Sequence, residues 1–129
     1  MITKLQAQSA NLIKALKKLE EVLKQPETEI TRDAAIQRFE FTFEMSWKVM
    51  QSIAKTNKPK LYGVKAIIRE AAALSLIDNP ELWLKFLEDR NLTVHTYKED
   101  LAKEIFSRIK KFPVLVAKLL EAAKTHIDS

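Results

Sequence analysis

Apolar residues recur every three or four positions along most of this chain, and that spacing is typical of one face of an α-helix. The first predicted helix covers about residues 2 to 25, and Pro26 ends it because proline has no amide hydrogen to donate. Ser9 occupies one position of its apolar face. The other positions of that face are Ile2, Leu5, Leu12, Leu16, Leu19 and Leu23. The pattern predicts an amphipathic helix that buries one side.

The second predicted helix, about residues 31 to 55, is apolar on two sides. Its main row consists of Ile36, Phe39, Phe43, Trp47, Met50 and Ile53. A second row, on roughly the opposite side, consists of Phe41, Met45 and Val49. Because a helix that is apolar on two sides is buried on two sides, we interpret the second row as a homodimer interface. The alternative is that a short helix of the same chain covers it.

Two carboxylates interrupt or flank the main row of this helix. Glu40 falls between Ile36 and Trp47 in helical projection, and Glu44 follows one turn later. An unpaired carboxylate in a core costs several kcal/mol. The sequence therefore predicts that one of these acids has a cationic partner, or that Glu40 turns out to water.

Two shorter helices are predicted next. The third covers about Gly63 to Ser75. Asn79-Pro80-Glu81 predicts the start of the fourth, with a polar cap, a proline in the first position and an acid in the first turn. Arg90 occupies one position of the fourth helix's apolar row, which indicates a cation that faces inward or into an interface. The other positions of that row are Trp83, Phe86, Leu87 and Val94.

A capping box is predicted between the fourth and fifth helices. Thr96-Tyr97-Lys98-Glu99 has the S/T-x-x-E pattern, which ends the fourth helix near His95 and starts the fifth. Pro113 predicts a kink in the fifth helix after Phe112. The apolar row of the fifth helix is Leu101, Ile105, Ile109, Phe112, Val116, Leu119 and Ala123.

These segments predict an all-α fold, an antiparallel up-and-down four-helix bundle with an additional short helix. At 129 residues the chain fits one domain, residues 1–129, with a core of its own. One glycine and four prolines provide too few turns for a β-sandwich or barrel.

Composition and charge limit the cellular environments and the binding partners that are expected for this chain. No apolar run approaches about 20 residues, so no membrane span is predicted. The amino terminus is amphipathic from its first turn, which does not fit a signal peptide, and the absence of cysteine fits a reducing cytoplasm. The net charge of +5 allows an acidic partner such as RNA. Because the basic residues are scattered, we interpret most of them as solvated helix faces.

The candidate chemistry lies where the fourth helix ends. Arg90, Asn91 and His95 fall on neighbouring positions of one helical face. Arginine can fork onto a phosphate, histidine can move a proton near neutral pH, and asparagine can orient a hydroxyl. Such a set could cleave RNA without metal, through the ribose 2′-hydroxyl. The alternative is structural, with Arg90 paired to Glu40 or Glu44 and His95 capping the helix.

Other chemistries find no support in the sequence. Gly63 is the only glycine, so there is no glycine-rich phosphate loop, and no cofactor is predicted. No Asp-x-Asp pair is present to hold magnesium, so the chain is not expected to be a nucleotidyltransferase itself. A histidine-based metal site is not expected either, because no second histidine lies near His126 in the sequence.

Two segments resemble those of a known family. Gln37–Lys48, QRFEFTFEMSWK, and Leu82–Tyr97, LWLKFLEDRNLTVHTY, resemble two signature segments of the nucleotidyltransferase substrate-binding protein family, within the HEPN superfamily. Helix order and chain length agree with that family over nearly the whole chain. The resemblance implies a dimerising helical bundle with a cleft at the dimer interface. It also implies a separate partner, a minimal nucleotidyltransferase, in a toxin–antitoxin type system.

The resemblance also assigns roles to residues. HEPN ribonucleases carry R-x4-6-H, which Arg90, Asn91 and His95 match, and related toxins carry R-x4-H-x-Y, whose tyrosine receives AMP from the nucleotidyltransferase. Tyr97 holds that position here. Two hypotheses follow, a metal-independent ribonuclease silenced at Tyr97, or a non-catalytic subunit that binds a substrate or nucleotide for its partner enzyme. Packing of the corner between the fourth and fifth helices is the structural alternative for Tyr97.

Overall fold

The computed structural model describes residues 1–127 and contains six α-helices and no strand within that range. The predicted all-α bundle is confirmed. A 3-10 turn, Thr93–His95, separates the fourth helix from the fifth. The helices are α1 (Lys4–Leu23), α2 (Glu29–Ala54), α3 (Val64–Ala73), α4 (Pro80–Leu92), α5 (Glu99–Ile109) and α6 (Phe112–Ile127).

The two longest helices, α1 and α2, form an antiparallel hairpin that the rest of the chain packs against. Arg38 on α2 donates from Nη1 to the carbonyl oxygen of Lys18 at 2.7 Å, while Ser52 donates to Gln8 Oε1 at 2.6 Å. Late α2 therefore lies beside early α1. Ser9, Leu12, Leu16 and Leu19 of the predicted α1 row are buried, whereas Ile2 precedes α1 and is exposed.

At three places a helix starts where the local sequence provides a capping side chain. Thr3 and Thr28 form reciprocal side-chain caps at α1 and α2. Asn79 Oδ1 accepts from the backbone N–H of Leu82 at 3.2 Å, with Pro80 in the first turn, so the predicted start of α4 is confirmed. Each cap satisfies amide donors that have no partner within the helix.

Phe112 lies at the centre of the core. Its ring centroid lies 4.9 Å from that of Phe86, 5.0 Å from that of Phe39 and 5.3 Å from that of Trp83. All four rings are buried, and they join α2, α4 and α6. The end of α4 is therefore fixed relative to α2 by aromatic packing.

The predicted fifth helix is two helices rather than one kinked helix. The break lies at Lys110 and Lys111, before Phe112 rather than after it. Pro113 consequently sits in the first turn of α6, where its missing N–H costs no hydrogen bond. The predicted apolar row remains continuous across the break, since Ile109 and Phe112 are both fully buried.

The prediction that Val94 belongs to the apolar row of the fourth helix is wrong. Val94 is 72% exposed, whereas Thr93 is buried. After Leu92 the backbone tightens from α-helical to 3-10 geometry, which changes the period from 3.6 to 3 residues per turn. Residue 93 instead of 94 therefore faces the core.

The predicted capping box at residues 96–99 does not form. Thr96 donates instead to the carbonyl oxygen of Thr93 at 2.8 Å, and α5 begins at Glu99 without a side-chain cap. Tyr97 consequently lies in the connection before α5, not in its first turn as the box would require.

The second apolar row of α2 is only partly covered by this chain. Val49 is fully buried, Met45 is partly buried, and Phe41 is 52% exposed. Trp47, from the main row, is partly buried as well. The homodimer interface stays a prediction, with Phe41 as its most exposed ring. None of the helices in residues 1–127 has the length and apolarity to cross a membrane.

Candidate functional site

The segment from Arg90 to Tyr97 carries four of the predicted site residues on one edge of the bundle. Arg90 lies in the last turn of α4 and is half-buried. Asn91, His95 and Tyr97 are exposed. The aromatic core behind α4 holds its backbone, while these side chains remain accessible to a ligand.

An ion pair between Arg90 and Glu44 links α4 to α2. Arg90 Nη2 contacts Glu44 Oε1, which confirms for Glu44 the prediction that one of the two α2 acids pairs with Arg90. Trp47 Nε1 donates to Glu44 Oε2 at 3.2 Å, and Arg90 Nη1 donates to Asn91 Oδ1 at 3.4 Å. The guanidinium is thus oriented by two acceptors, while 34% of the Arg90 side chain stays exposed to an incoming anion.

Glu40 does not take part in this pairing. It is partly exposed, makes no ion pair with any residue of the described range, and lines a groove of about 530 Å3. The position of Glu40 agrees with the alternative prediction that this side chain turns out to water. Asp33, Phe41 and Tyr97 line the same groove, so Glu40 is nearer to Tyr97 than the sequence alone indicates.

His95 and Tyr97 lie beside each other on the connection to α5. Their ring centroids are 6.2 Å apart with the rings nearly perpendicular, and Lys98 Nζ lies 6.0 Å from the Tyr97 ring. Tyr97 is 77% exposed, so packing of the helix corner does not account for it. Thr93, not His95, holds the C-cap position of α4. Both rings are therefore available for chemistry.

Asp89 and Arg108 are two charged residues of this region that sequence reasoning missed. Asp89 is 1% exposed and accepts three hydrogen bonds from Arg108 on α5, at 2.7 to 3.0 Å. Hydrogen bonding to Asp89 raises the pKa of Arg108 above its usual value. The pair ties α4 to α5 at the residue directly before Arg90. Asp89 follows Phe86 by three residues, which indicates that it faces inward. Its partner lies 19 residues away on another helix, so the local sequence does not reveal the pair.

Two threonines hold the backbone between Arg90 and Tyr97. Thr93, which is buried, donates from Oγ1 to the carbonyl oxygen of Arg90 at 2.7 Å. Thr96 donates to the carbonyl oxygen of Thr93 at 2.8 Å. These bonds stabilise the 3-10 turn and thereby the relative placement of Arg90, His95 and Tyr97.

The chemistry this edge can perform is anion binding and proton transfer. A partly exposed guanidinium suits a phosphate, and an exposed imidazole can accept or donate a proton in a reaction. Within residues 1–127, no three His, Asp or Glu side chains converge where a metal ion could bind. The exposed Tyr97 hydroxyl adds a nucleophile that could be modified.

Comparison with protein families gives a match to the family described as nucleotidyltransferase substrate binding protein like. It covers residues 7–125 and therefore includes every residue of the site. A Haemophilus influenzae protein named probable ribonuclease HepT is 37% identical over 92 residues. That alignment covers 67% of this chain and 63% of the relative, so the chain spans less than two thirds of the relative's length.

Two solved structures share the fold. A protein from Thermus thermophilus is 39% identical with a TM-score of 0.76, and the match covers 85% of this chain and 96% of the other. A Haemophilus influenzae protein, described as showing the fold of a substrate binding domain of a nucleotidyltransferase, is 28% identical with a TM-score of 0.73. The latter match covers 93% of this chain and 96% of the other.

Proposed function

The chain belongs to the nucleotidyltransferase substrate binding protein family, and from that premise we propose that it is the helical toxin subunit of a toxin–antitoxin type system. Its partner is a minimal nucleotidyltransferase. Its activity is metal-independent cleavage of RNA, with Arg90, Asn91 and His95 as the catalytic residues. The observation that carries the proposal is the edge described above, where an oriented but accessible guanidinium lies on the same short segment as an exposed imidazole.

The proposed reaction uses the RNA's own 2′-hydroxyl as the nucleophile. His95 takes the 2′-hydroxyl proton while the 2′-oxygen attacks the adjacent phosphorus. The bond from phosphorus to the 5′-oxygen breaks, and that oxygen takes up a proton. The products are a 2′,3′-cyclic phosphate and a 5′-hydroxyl end. Arg90 donates hydrogen bonds to the charge that develops on the phosphoryl oxygens, and Asn91 orients a hydroxyl.

This reaction favours a homodimer, because it needs a base and an acid at one phosphate. The described site has a single imidazole, His95. A second copy placed against the exposed ring of Phe41 would bring a second imidazole, His95 of the partner subunit, into a shared cleft. The exposed ring of Phe41 is the apolar surface that such an interface would cover.

Silencing is proposed to occur at Tyr97. Its phenol loses its proton to solvent as the phenolic oxygen attacks the α-phosphorus of ATP on the partner enzyme, pyrophosphate leaves, and AMP remains joined to that oxygen. The ring centroid of His95 lies 6.2 Å from that of Tyr97, so the added phosphate carries a negative charge close to His95. It also competes with RNA for the arginine. The adenosine adds bulk over the same edge.

The second candidate function is a non-catalytic subunit that holds a substrate or nucleotide for the nucleotidyltransferase. The relative described as a substrate binding domain of a nucleotidyltransferase favours it. It predicts a stable hetero-complex without nuclease activity.

One assay separates the two functions. Purified protein, shown by mass spectrometry to carry unmodified Tyr97, is incubated with total cellular RNA in EDTA. Cleavage with cyclic phosphate ends supports the ribonuclease. Intact RNA in the presence of folded protein rejects it in favour of the binding subunit.

Tyr97→Phe is expected to abolish AMP incorporation, because phenylalanine lacks the attacking oxygen. Incorporation is measured with α-labelled ATP and a nucleotidyltransferase that copurifies with the chain. Tyr62→Phe is the matched control, since Tyr62 is equally exposed at 76% and also lies against a lysine. Label retained by Tyr97→Phe, or lost from Tyr62→Phe, contradicts the assignment.

A further inference from the structure

The positive charges of the chain are unevenly distributed along the sequence. No aspartate or glutamate precedes Glu20, and none lies between Glu44 and Glu70. The second of these acid-free stretches contains six basic residues, Lys48, Lys55, Lys58, Lys60, Lys65 and Arg69. Because they are spaced along the chain, they form no basic run, and the sequence alone indicates solvated helix faces.

The antiparallel hairpin brings the two acid-free stretches together at one end of the bundle. The start of α1 and the end of α2 enclose a groove of about 740 Å3, lined among others by Lys4 and Lys55. Ser52, which lines the same groove, fixes this geometry through its hydrogen bond to Gln8. Positive charges far apart in sequence therefore flank one groove.

An exposed aromatic ring adjoins this groove. Lys55 Nζ lies 5.1 Å from the centroid of the Tyr62 ring, and Tyr62 is 76% exposed. Lys58 and Lys60, which lie between Lys55 and Tyr62 in the sequence, line a shallow recess of about 480 Å3. We call this surface the basic end and define it by Lys4, Lys55, Lys58, Lys60 and Tyr62.

Within residues 1–127, most cations of the basic end have no counter-ion. Lys58 pairs with Glu70 at 2.6 Å. The other lysines of the basic end make no ion pair with any residue between 1 and 127. Unneutralised lysines beside an exposed aromatic ring are the combination with which proteins bind a single-stranded backbone and stack its bases.

We propose that the basic end binds the phosphate backbone of single-stranded RNA and that Tyr62 stacks on one of its bases. The choice of RNA as the ligand rests on the proposed ribonuclease function. The positive charge and the exposed ring are observations that do not depend on that function. The basic end shares no residue with the Arg90–Tyr97 segment. It therefore acts as a separate docking surface that holds the substrate strand while another part of it is cut.

Binding is tested with a fluorescein-labelled oligouridylate in EDTA, by anisotropy over a range of potassium chloride concentrations. The protein carries His95→Ala so that cleavage does not interfere. Each backbone contact made by a lysine contributes about 0.7 to the slope of log affinity against log salt for a single strand. Lys55→Gln with Lys60→Gln is therefore expected to reduce that slope by about 1.4. Tyr62→Ala is expected to weaken binding about tenfold without changing the slope.

The matched control replaces two lysines of the opposite end of α1, Lys17→Gln with Lys18→Gln. Both are exposed, and their replacement changes the net charge by the same amount. An equal loss of slope in this control would show that only net charge matters and would overturn the proposal. An unchanged slope in the variant Lys55→Gln with Lys60→Gln would also overturn the proposal. Binding to phosphatidylserine vesicles but not to the oligouridylate would overturn it in favour of a lipid surface.

The outcome is separable from that of the proposed function. RNA that is bound through the basic end but never cleaved would leave this inference standing and reject the ribonuclease. RNA that is cleaved equally well by the basic-end variants, at RNA concentrations below saturation, would reject this inference and leave the ribonuclease standing.

Discussion

His95→Ala is expected to reduce RNA cleavage by at least about 100-fold, because the general base for the 2′-hydroxyl is lost. The fold should not change, since the His95 side chain is exposed on the connection before α5. Cleavage is measured in EDTA with a labelled oligoribonucleotide, and folding by circular dichroism and thermal unfolding. Binding of the oligonucleotide to this variant should persist, which would locate the defect in the chemical step.

The chain provides its own control for this experiment. His126 is the other histidine and lies near the carboxyl end of α6, where it lines the groove between the ends of α1 and α2. At saturating RNA, where binding through the basic end does not limit the rate, His126→Ala is expected to cleave at a rate close to that of the unchanged protein. Cleavage that survives His95→Ala, or that is lost equally in both variants, would contradict the assignment of His95.

Arg108→Ala is expected to lower the free energy of unfolding by about 3 to 5 kcal/mol. The substitution leaves the Asp89 carboxylate, which is 1% exposed, without the three hydrogen bonds it accepts from Arg108. An unpaired charge that water cannot reach is far more costly than a broken surface pair. A loss of this size is a large part of the total stability of a small domain. Urea unfolding, monitored by tryptophan fluorescence and circular dichroism, measures it.

A surface ion pair provides the comparison for Arg108. Glu88→Ala removes a carboxylate that pairs with Lys85 at 3.4 Å, with both side chains more than half exposed, and should cost less than about 1 kcal/mol. Replacing both members of the Asp89–Arg108 pair, Asp89→Asn with Arg108→Gln, should recover part of the loss. A cost for Arg108→Ala no larger than that for Glu88→Ala would show that the Asp89 pair contributes little.

The Asp89 pair also bears on the proposed activity, because Asp89 directly precedes Arg90. Loss of the pair frees the last turn of α4 from α5 at the residue that presents the guanidinium. Arg90 would still contact Glu44 and Asn91. Its backbone, however, would no longer be joined to α5 through the neighbouring Asp89. We therefore expect Arg108→Ala to impair cleavage under conditions in which the protein remains folded.

Much of the site was predictable because it is nearly continuous in sequence. Arg90, Asn91, His95 and Tyr97 lie within eight consecutive positions, so any fold that ends a helix there keeps them close. The ion pair with α2 was predictable only as a choice between Glu40 and Glu44. Which acid faces Arg90 depends on the axial offset between α2 and α4, and core packing sets that offset.

The amino-acid sequence was enough to predict the helices and most of their buried faces, because apolar periodicity and helix caps act over a few residues. The cap at Asn79 and the row from Ile105 to Ala123 are of this kind. It did not determine the 3-10 turn that exposes Val94, since that tightening accompanies the packing of Thr93 against the core.

The tertiary structure alone decided which distant charges meet. Asp89 meets Arg108, Glu44 meets Arg90, and Lys4 comes to flank the same groove as Lys55. The physical reason is that contacts between helices depend on their rotation and relative height, and the fit of side chains in the shared core fixes both. Periodicity shows which face of a helix is buried, and packing decides what that face meets.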